Sequence, residues 1–348
     1  MITLAYFVAW APLLVNRGFY WDDWTLVGQT PAELVSSFTE LGLPIGGYVY
    51  AVLLALPLAG LIGHILVFLA YLASTLLVHA ILHRLPGVRR IDALVAGLVF
   101  AVLPVNSGRV ALIDAMYGFS LLAFLAATWL LIRFVADGGL GRRVGALVLF
   151  LLSFYTASML VLYVVPVAVA AVLLRRSRSE SAIALAVRHL DILALPVAYW
   201  LLKGAFLSPT GVYEGYNVLS VRELLRVPAE LLAIPSQVVV EPLARAVAAA
   251  GILGLVAGIV VAAWLMRRSR VAEDGRFVAG PILALIGLVI LALGVFPYLA
   301  VGRMPTIWDW SSRHQLLVPI GIGLVAAALA RGVGAVGPAG RAGGVIAG

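Results

Sequence analysis

The sequence predicts an all-α, polytopic membrane protein with about ten transmembrane helices and further helices at the outer membrane face. Three observations carry this expectation. Of the 348 residues, 63% are hydrophobic and only 11% charged. Apolar runs of about 18 residues or more recur, the length an α-helix needs to cross the hydrocarbon of a bilayer. The basic residues fall in short clusters between those runs. The net charge of +8 would suit nucleic acid if it formed a patch on a soluble domain. Its distribution is instead that of cytoplasmic loops, so nucleic acid is excluded as a partner. Without cysteine, the chain has neither a disulfide framework nor a thiolate metal site.

The basic clusters set the topology. They are Arg84, Arg89 and Arg90; Arg133, Arg142 and Arg143; Arg175, Arg176, Arg178 and Arg188; Arg267, Arg268, Arg270 and Arg276; and, in the tail, Arg331 and Arg341. Placed in the cytoplasm by the positive-inside rule, they put 16 of the 24 basic but only 6 of the 16 acidic residues inside. The opposite face is then slightly acidic.

The spans follow in order. Residues 1–15 lack the positive start and cleavage pattern of a secretory signal, so they are read as a retained first span running outward. Residues 25–47 are a polar-to-amphipathic connector. Residues 48–81 return; this stretch is longer than a crossing needs, so its early part is expected along the outer interface. Residues 93–105 and 110–132 form an outward and inward pair around Asn106-Ser107-Gly108-Arg109. The uncharged stretch 144–174 has Arg clusters at both ends, which requires two short spans meeting near 155–158. Broken helices of this kind are tolerated where they line a protein cavity. Residues 192–206 go out. The outer segment 208–245 contains an apolar piece, 231–240, interrupted by Pro235 and too short to span, read as an interfacial or re-entrant helix. Residues 246–266 return, 278–301 go out, and 316–330 come back after the loop 302–315. Residues 332–348 are a low-complexity cytoplasmic tail, so 1–331 is expected to be one transmembrane domain with large outer loops at 16–47 and 208–245.

Three polar constellations then share the outer face. The first is Gly18-Phe19-Tyr20-Trp21-Asp22-Asp23-Trp24, two adjacent acids flanked by tryptophans where an apolar segment leaves the bilayer. The second is Asn106, Ser107, Arg109 and Asp114. The third is Arg303, Trp308, Asp309, Trp310, Ser311, Ser312, Arg313 and His314. Arginine grips phosphate through charge-assisted, often bidentate hydrogen bonds. A carboxylate can take a proton from a hydroxyl nucleophile, and paired acids can instead hold a divalent cation through oxygen. Together these groups suit an anionic amphiphile handled by acid–base chemistry. Each also has a structural role open to it: Trp21 and Trp24 as interfacial anchors, Arg303 as a snorkelling side chain, Arg313 and Asp309 as an ion pair. His64, His79 and His83 are read as packing residues, and Asp92 and Asp191 as helix starts.

Phe19-Tyr20-Trp21-Asp22-Asp23, directly after a first span, resembles the acidic first-outer-loop motif of the lipid-phosphate-sugar-dependent glycosyltransferases of the GT-C fold. The nearest likeness is to the transmembrane O-mannosyltransferases that carry TPR repeats. Residues Phe100 to Ser107 with Val110 are similar to that group's second loop, and Ser312-Arg313-His314 with Leu317 and Pro319 to the stretch opening a late span. The resemblance implies a helical GT-C core, an extracytoplasmic site in the cell membrane, and a sugar donor on polyprenyl phosphate. It implies that Asp22 or Asp23 is the general base or, with a divalent cation such as Mg or Mn, a metal ligand. Arg313 is implied to meet the donor phosphate, with His314, Arg303 and Arg109 as further donor contacts and Trp21, Trp24, Asn106, Asp114 and Asp309 lining the substrate pocket. Where the mannosyltransferases have a Glu and two His in the second loop, this chain has Gly108, Leu103 and Asn106, and no TPR repeats follow. The expected function is transfer of sugar to an extracytoplasmic glycan, lipid or protein. The alternatives are a transporter or flippase, and a polymerase or ligase of lipid-linked glycans.

Overall fold

The computed structural model describes residues 1–177, 181–215, 218–242, 244–245, 247–248, 278–307 and 310–336. The expected span 246–266, the cluster Arg267 to Arg276, Arg178, Asp309 and most of the tail lie outside the described residues. Among the described residues the secondary structure is helical, with no strand. In chain order the helices are α1 Ile2–Trp10, α2 Pro31–Glu40, α3 Pro44–Leu54, α4 Ala59–Arg84, α5 Arg90–Val102, α6 Ala115–Asp137, α7 Leu140–Ser153, α8 Ser158–Leu162, α9 Val164–Ser177, α10 Ala182–Arg188, α11 Leu190–Phe206, α12 Val221–Pro235, α13 Gly280–Leu299 and α14 Val318–Val336.

Four segments are long and apolar enough to cross a membrane: Ala59–Arg84, Leu112–Asp137, Ser158–Arg175 and Gly280–Leu299. A fifth is added if α10 and α11, bent by 56°, count as one span. Ile2–Val15, Pro44–Leu54 and Val318–Arg331 are apolar but shorter. Among the described residues the fold is thus helical, with four or five helices long and apolar enough to cross a membrane and shorter apolar helices among them.

Local chemistry explains the boundaries. The expected connector 25–47 contains a helix, because Thr30 and Glu33 cap each other reciprocally. The Thr30 N–H donates to Glu33 Oε2 at 2.7 Å and the Glu33 N–H to Thr30 Oγ1 at 3.3 Å, with Pro31 at the first helical position. The long second stretch is cut between α3 and α4, where Leu58 adopts a left-handed backbone, φ 59°. The uncharged stretch 144–174 breaks after Ser153 and resumes at Ser158, at the residues where the charge pattern required a reversal. One boundary corrects the sequence reading. The helix covers 231–240, as an α-helix to Pro235 and a π-helix over Ser236–Val240, but it starts ten residues earlier, at Val221, where Ser220 Oγ accepts the Glu223 N–H at 3.2 Å. At Pro235, which has no N–H to give the preceding turn, the α-helix passes into the wider π-helix.

The helices pack around one large apolar core that takes side chains from α1, α4, α5, α6, α7, α9, α13 and α14. Tyr6 on α1 donates to the Phe68 carbonyl on α4 at 2.9 Å, and Trp10 Nε1 to the Ala101 carbonyl on α5 at 2.8 Å. Backbones of α13 and α14 approach directly. A Cβ on Gly321 would sit 2.6 Å from Gly287 O and 2.7 Å from Leu291 N, and one on Gly287 would sit 2.7 Å from Gly321 O. Small residues permit such close helix pairs in a bilayer. At the end bearing the Arg clusters, buried Arg331 pairs with buried Asp92 and donates to Val278 O, tying α14 to α5 and to the start of α13.

Replacing Gly321 by Ala forces backbone against Cβ and is expected to destabilise the protein by about 1–3 kcal/mol. Thermal unfolding in detergent checks this: a midpoint below wild type is expected, and an unchanged midpoint contradicts the close approach.

Candidate functional site

Residues 16–20 leave the first helical segment and close into a 3₁₀ turn, Trp21–Thr25. With three residues per turn, side chains three apart share a face. Asp23 and Leu26 form the buried face, while Trp21, Asp22, Trp24 and Thr25 are exposed. The adjacent acids therefore have opposite surroundings.

Asp23 is fully buried. Its Oδ2 accepts the N–H groups of Tyr20 and Leu112, each at 2.9 Å, and its Oδ1 accepts that of Ile113 at 2.7 Å. Burial pushes the Asp23 carboxyl above its usual range, while the three N–H groups and the neighbouring His64 pull it down. Donors aimed at a carboxylate form strong, charge-assisted hydrogen bonds. The same peptides are held from the other side by Tyr50 of α3, whose hydroxyl lies 3.0 Å from Leu112 O and 2.7 Å from Ile113 O. His64 of α4 sits between two carbonyls, Nδ1 2.6 Å from Gly60 O and Nε2 2.8 Å from Val110 O. Asn16 Oδ1 accepts from the Gly18 N–H at 3.0 Å and the Tyr20 hydroxyl at 2.9 Å. The turn imposes one strained residue. Trp21 has φ 52°, a region that costs a bulky residue about 1–3 kcal/mol.

The second and third constellations meet through Ser312. Its Oγ accepts the Gly108 N–H at 2.6 Å and lies 3.0 Å from Ser107 Oγ, which is 3.1 Å from Ile307 O. Glycine at 108 lets these groups close in, since a Cβ there would lie 2.9 Å from Asp114 Oδ2 and would displace that carboxylate. Asp114, buried, pairs through Oδ1 with Arg313 Nη1 at 3.1 Å. Asp22 and Asp23 are both near enough to Asp114 to interact with it electrostatically.

The structure thus brings Asp22, Asp23, Asp114 and Arg313 together. The remaining expected site residues have other surroundings. Arg109, 4% exposed, lies between the rings of Trp10 (3.8 Å) and Tyr71 (4.3 Å), with Nε donating to Asn106 O at 3.1 Å. A buried guanidinium on two aromatic faces is a packing cation. Asn106 Nδ2 donates to the Tyr71 hydroxyl at 2.8 Å. The His314 ring lies 4.4 Å from that of Tyr298, whose hydroxyl donates to Ser158 Oγ at 2.9 Å. Arg303 is half-buried at the start of the loop, its N–H donating to Tyr298 O at 2.9 Å. Trp24 is exposed and packs its ring 5.9 Å from that of Phe19. Asp309 lies outside the described residues.

The pair Asp22 and Asp23 does not fit a divalent cation well. Both oxygens of Asp23 already accept backbone N–H groups, and among the described residues no cluster of three or more His, Cys, Asp or Glu could hold a metal. Sequence reasoning missed Tyr50 and Gly108 as parts of the site. Neither gives a local signal, because their partners lie about 60 positions away for Tyr50 and 204 for Gly108. No protein-family model, curated protein or solved structure matches the chain.

Asp23→Ala leaves the N–H groups of Leu112 and Ile113 without their acceptor, at about 1–3 kcal/mol for each buried group. Asp22→Ala removes an exposed carboxylate and is expected to stay within about 0.5 kcal/mol of wild type. Thermal unfolding of the two variants checks this; equal midpoints contradict the division between them.

Proposed function

We propose that the chain is an integral-membrane glycosyltransferase of the GT-C type, moving a sugar from a polyprenyl-phosphate donor to an extracytoplasmic glycan, lipid or protein. One observation supports the reading: the first-loop Asp23 accepts the N–H groups of Leu112 and Ile113, next in the chain to Asp114, which pairs with Arg313. The reading takes Ile2–Val15, residues 93–105, the first half of 144–174, residues 246–266 and Val318–Arg331 as the further crossings of a ten-span bundle, with Pro44–Leu54 along the outer interface and the Arg clusters in the cytoplasm.

The roles divide by environment. Asp22, exposed, is the general base. Asp23, held by three N–H groups, positions it. Arg313, oriented by Asp114, neutralises the phosphate of the donor. The acceptor O–H gives its proton to the Asp22 carboxylate as its oxygen attacks the anomeric carbon. The carbon–oxygen bond to phosphate breaks, and polyprenyl phosphate leaves with the bonding electrons. Arg313 stabilises the charge that grows on the leaving phosphate, and the anomeric carbon inverts.

Purified protein in proteoliposomes with a polyprenyl-phosphate-linked radiolabelled sugar tests this reading. Asp22→Asn is expected to lower transfer roughly 10²–10⁴-fold, the usual contribution of a general base; full activity in that variant overturns the assignment. Movement of the lipid-linked sugar with no covalent product would favour a transporter, and chain growth of a lipid-linked glycan a polymerase or ligase. Orientation is separately testable because the chain has no native cysteine. A membrane-impermeant maleimide applied to intact cells is expected to label Thr25→Cys and not Gly141→Cys.

A further inference from the structure

We propose that the outward side of the Trp21–Thr25 turn is a carbohydrate-binding platform that seats a sugar ring of the acceptor. The inference rests on the transferase reading and narrows the acceptor to a glycan.

Trp21 and Trp24, both in the Trp21–Thr25 turn, are exposed, with 39% and 63% of their surfaces accessible. Phe19 packs beside the Trp24 ring and limits its rotation. Asp22 is exposed as well. The turn cannot swivel, because Asp23 anchors it to Leu112 and Ile113. The result is two exposed aromatic rings and an exposed carboxylate carried on one anchored turn.

The chemistry of that arrangement selects its ligand. A pyranose ring offers C–H groups on its faces, which pack against indole, and hydroxyls on its rim, which donate to a carboxylate. Acyl chains match the rings but not Asp22, since a carboxylate is costly in hydrocarbon. A phosphate headgroup is repelled by Asp22. A hydroxyl-rich ring matches both.

The backbone supplies an independent argument. Trp21 holds φ 52°, a conformation that Asn or Gly adopts with less strain and a tryptophan adopts only when its surroundings impose it. Strain of this kind concentrates where a side chain meets a ligand. The anchored turn requires the conformation, while the large ring at that position adds nothing to the anchor, whose contacts are made by the Tyr20 N–H and Asp23. The ring is therefore there for what it faces outward.

The test uses full-length protein in nanodiscs and saturation-transfer NMR with di- and trisaccharides of glucose, mannose, galactose, N-acetylglucosamine and arabinose. Transfer to ring C–H protons of at least one sugar is expected. Trp24→Ala and Trp21→Asn are expected to weaken that binding about tenfold, the scale of one aromatic contact, while Trp24→Phe retains it. Thermal unfolding of Trp21→Asn is expected to match wild type or exceed it. Binding of no sugar in the panel, or binding indifferent to both substitutions, overturns the proposal. So does quenching of Trp24, read as wild type minus Trp24→Phe, by lipids brominated along their acyl chains, which would make the turn a bilayer anchor. Sugar transfer assayed in parallel separates the two claims. Sugar binding without any transfer keeps the platform and removes the transferase reading. Transfer whose acceptor KM ignores both tryptophans removes the platform alone.

Discussion

A single buried carboxylate holds three loops of this protein together. Asp23 has no contact with solvent, and the folded chain surrounds it with three backbone N–H groups, two of them 89 and 90 positions away. An ionised group can be buried only where such donors replace its hydration. Once it is in place, the consequences extend outward. The peptides 112–113 are fixed between Asp23 and Tyr50. Asp114, next in the chain, is thereby set against Arg313, and Gly108 comes close enough for Ser312 to reach its N–H. Three loops far apart in sequence become one surface.

Below that surface, several buried charged and polar side chains bridge separate elements. Arg109 lies between two aromatic rings, His64 between two carbonyls, and Arg331 against Asp92. In a bilayer, where lipid offers no alternative partner, every such group must be satisfied within the protein. These contacts lock α1, α4, α5 and α14 into fixed relation, and the close glycine approach of Gly287 and Gly321 does the same for α13 and α14. The loops therefore rest on a rigid base.

Much of this was legible in the sequence. Of the ten expected spans, apolar runs within 48–81, 110–132, 144–174 and 278–301 coincide with helices long enough to cross a membrane, and the Arg residues at both ends of the stretch 144–174 marked a break that falls between Ser153 and Ser158. The three constellations were visible as local concentrations of polar residues, and they do converge. Sequence alone could not tell Asp22 from Asp23. Adjacent residues of one type differ only through the three-residue period of the turn, which buries one and exposes the other. Arg109 was expected at a phosphate because a positive charge beside an outer turn suggests an anion. Its aromatic partners, Trp10 and Tyr71, lie 99 and 38 positions upstream in sequence and become neighbours only when α1 and α4 pack. The start of α12 was misread because its first turns are amphipathic rather than apolar, and the apolar run 231–240 drew attention away from the Ser220 cap.

Amide hydrogen exchange at Leu112 and Ile113 tests the central claim most directly, since slow exchange there measures the hydrogen bonds to Asp23 themselves. The account predicts that both amides are protected in the wild-type protein, keep that protection in Asp22→Asn, and lose it in Asp23→Ala. Protection unchanged in Asp23→Ala would contradict the claim that this carboxylate holds the three loops in place.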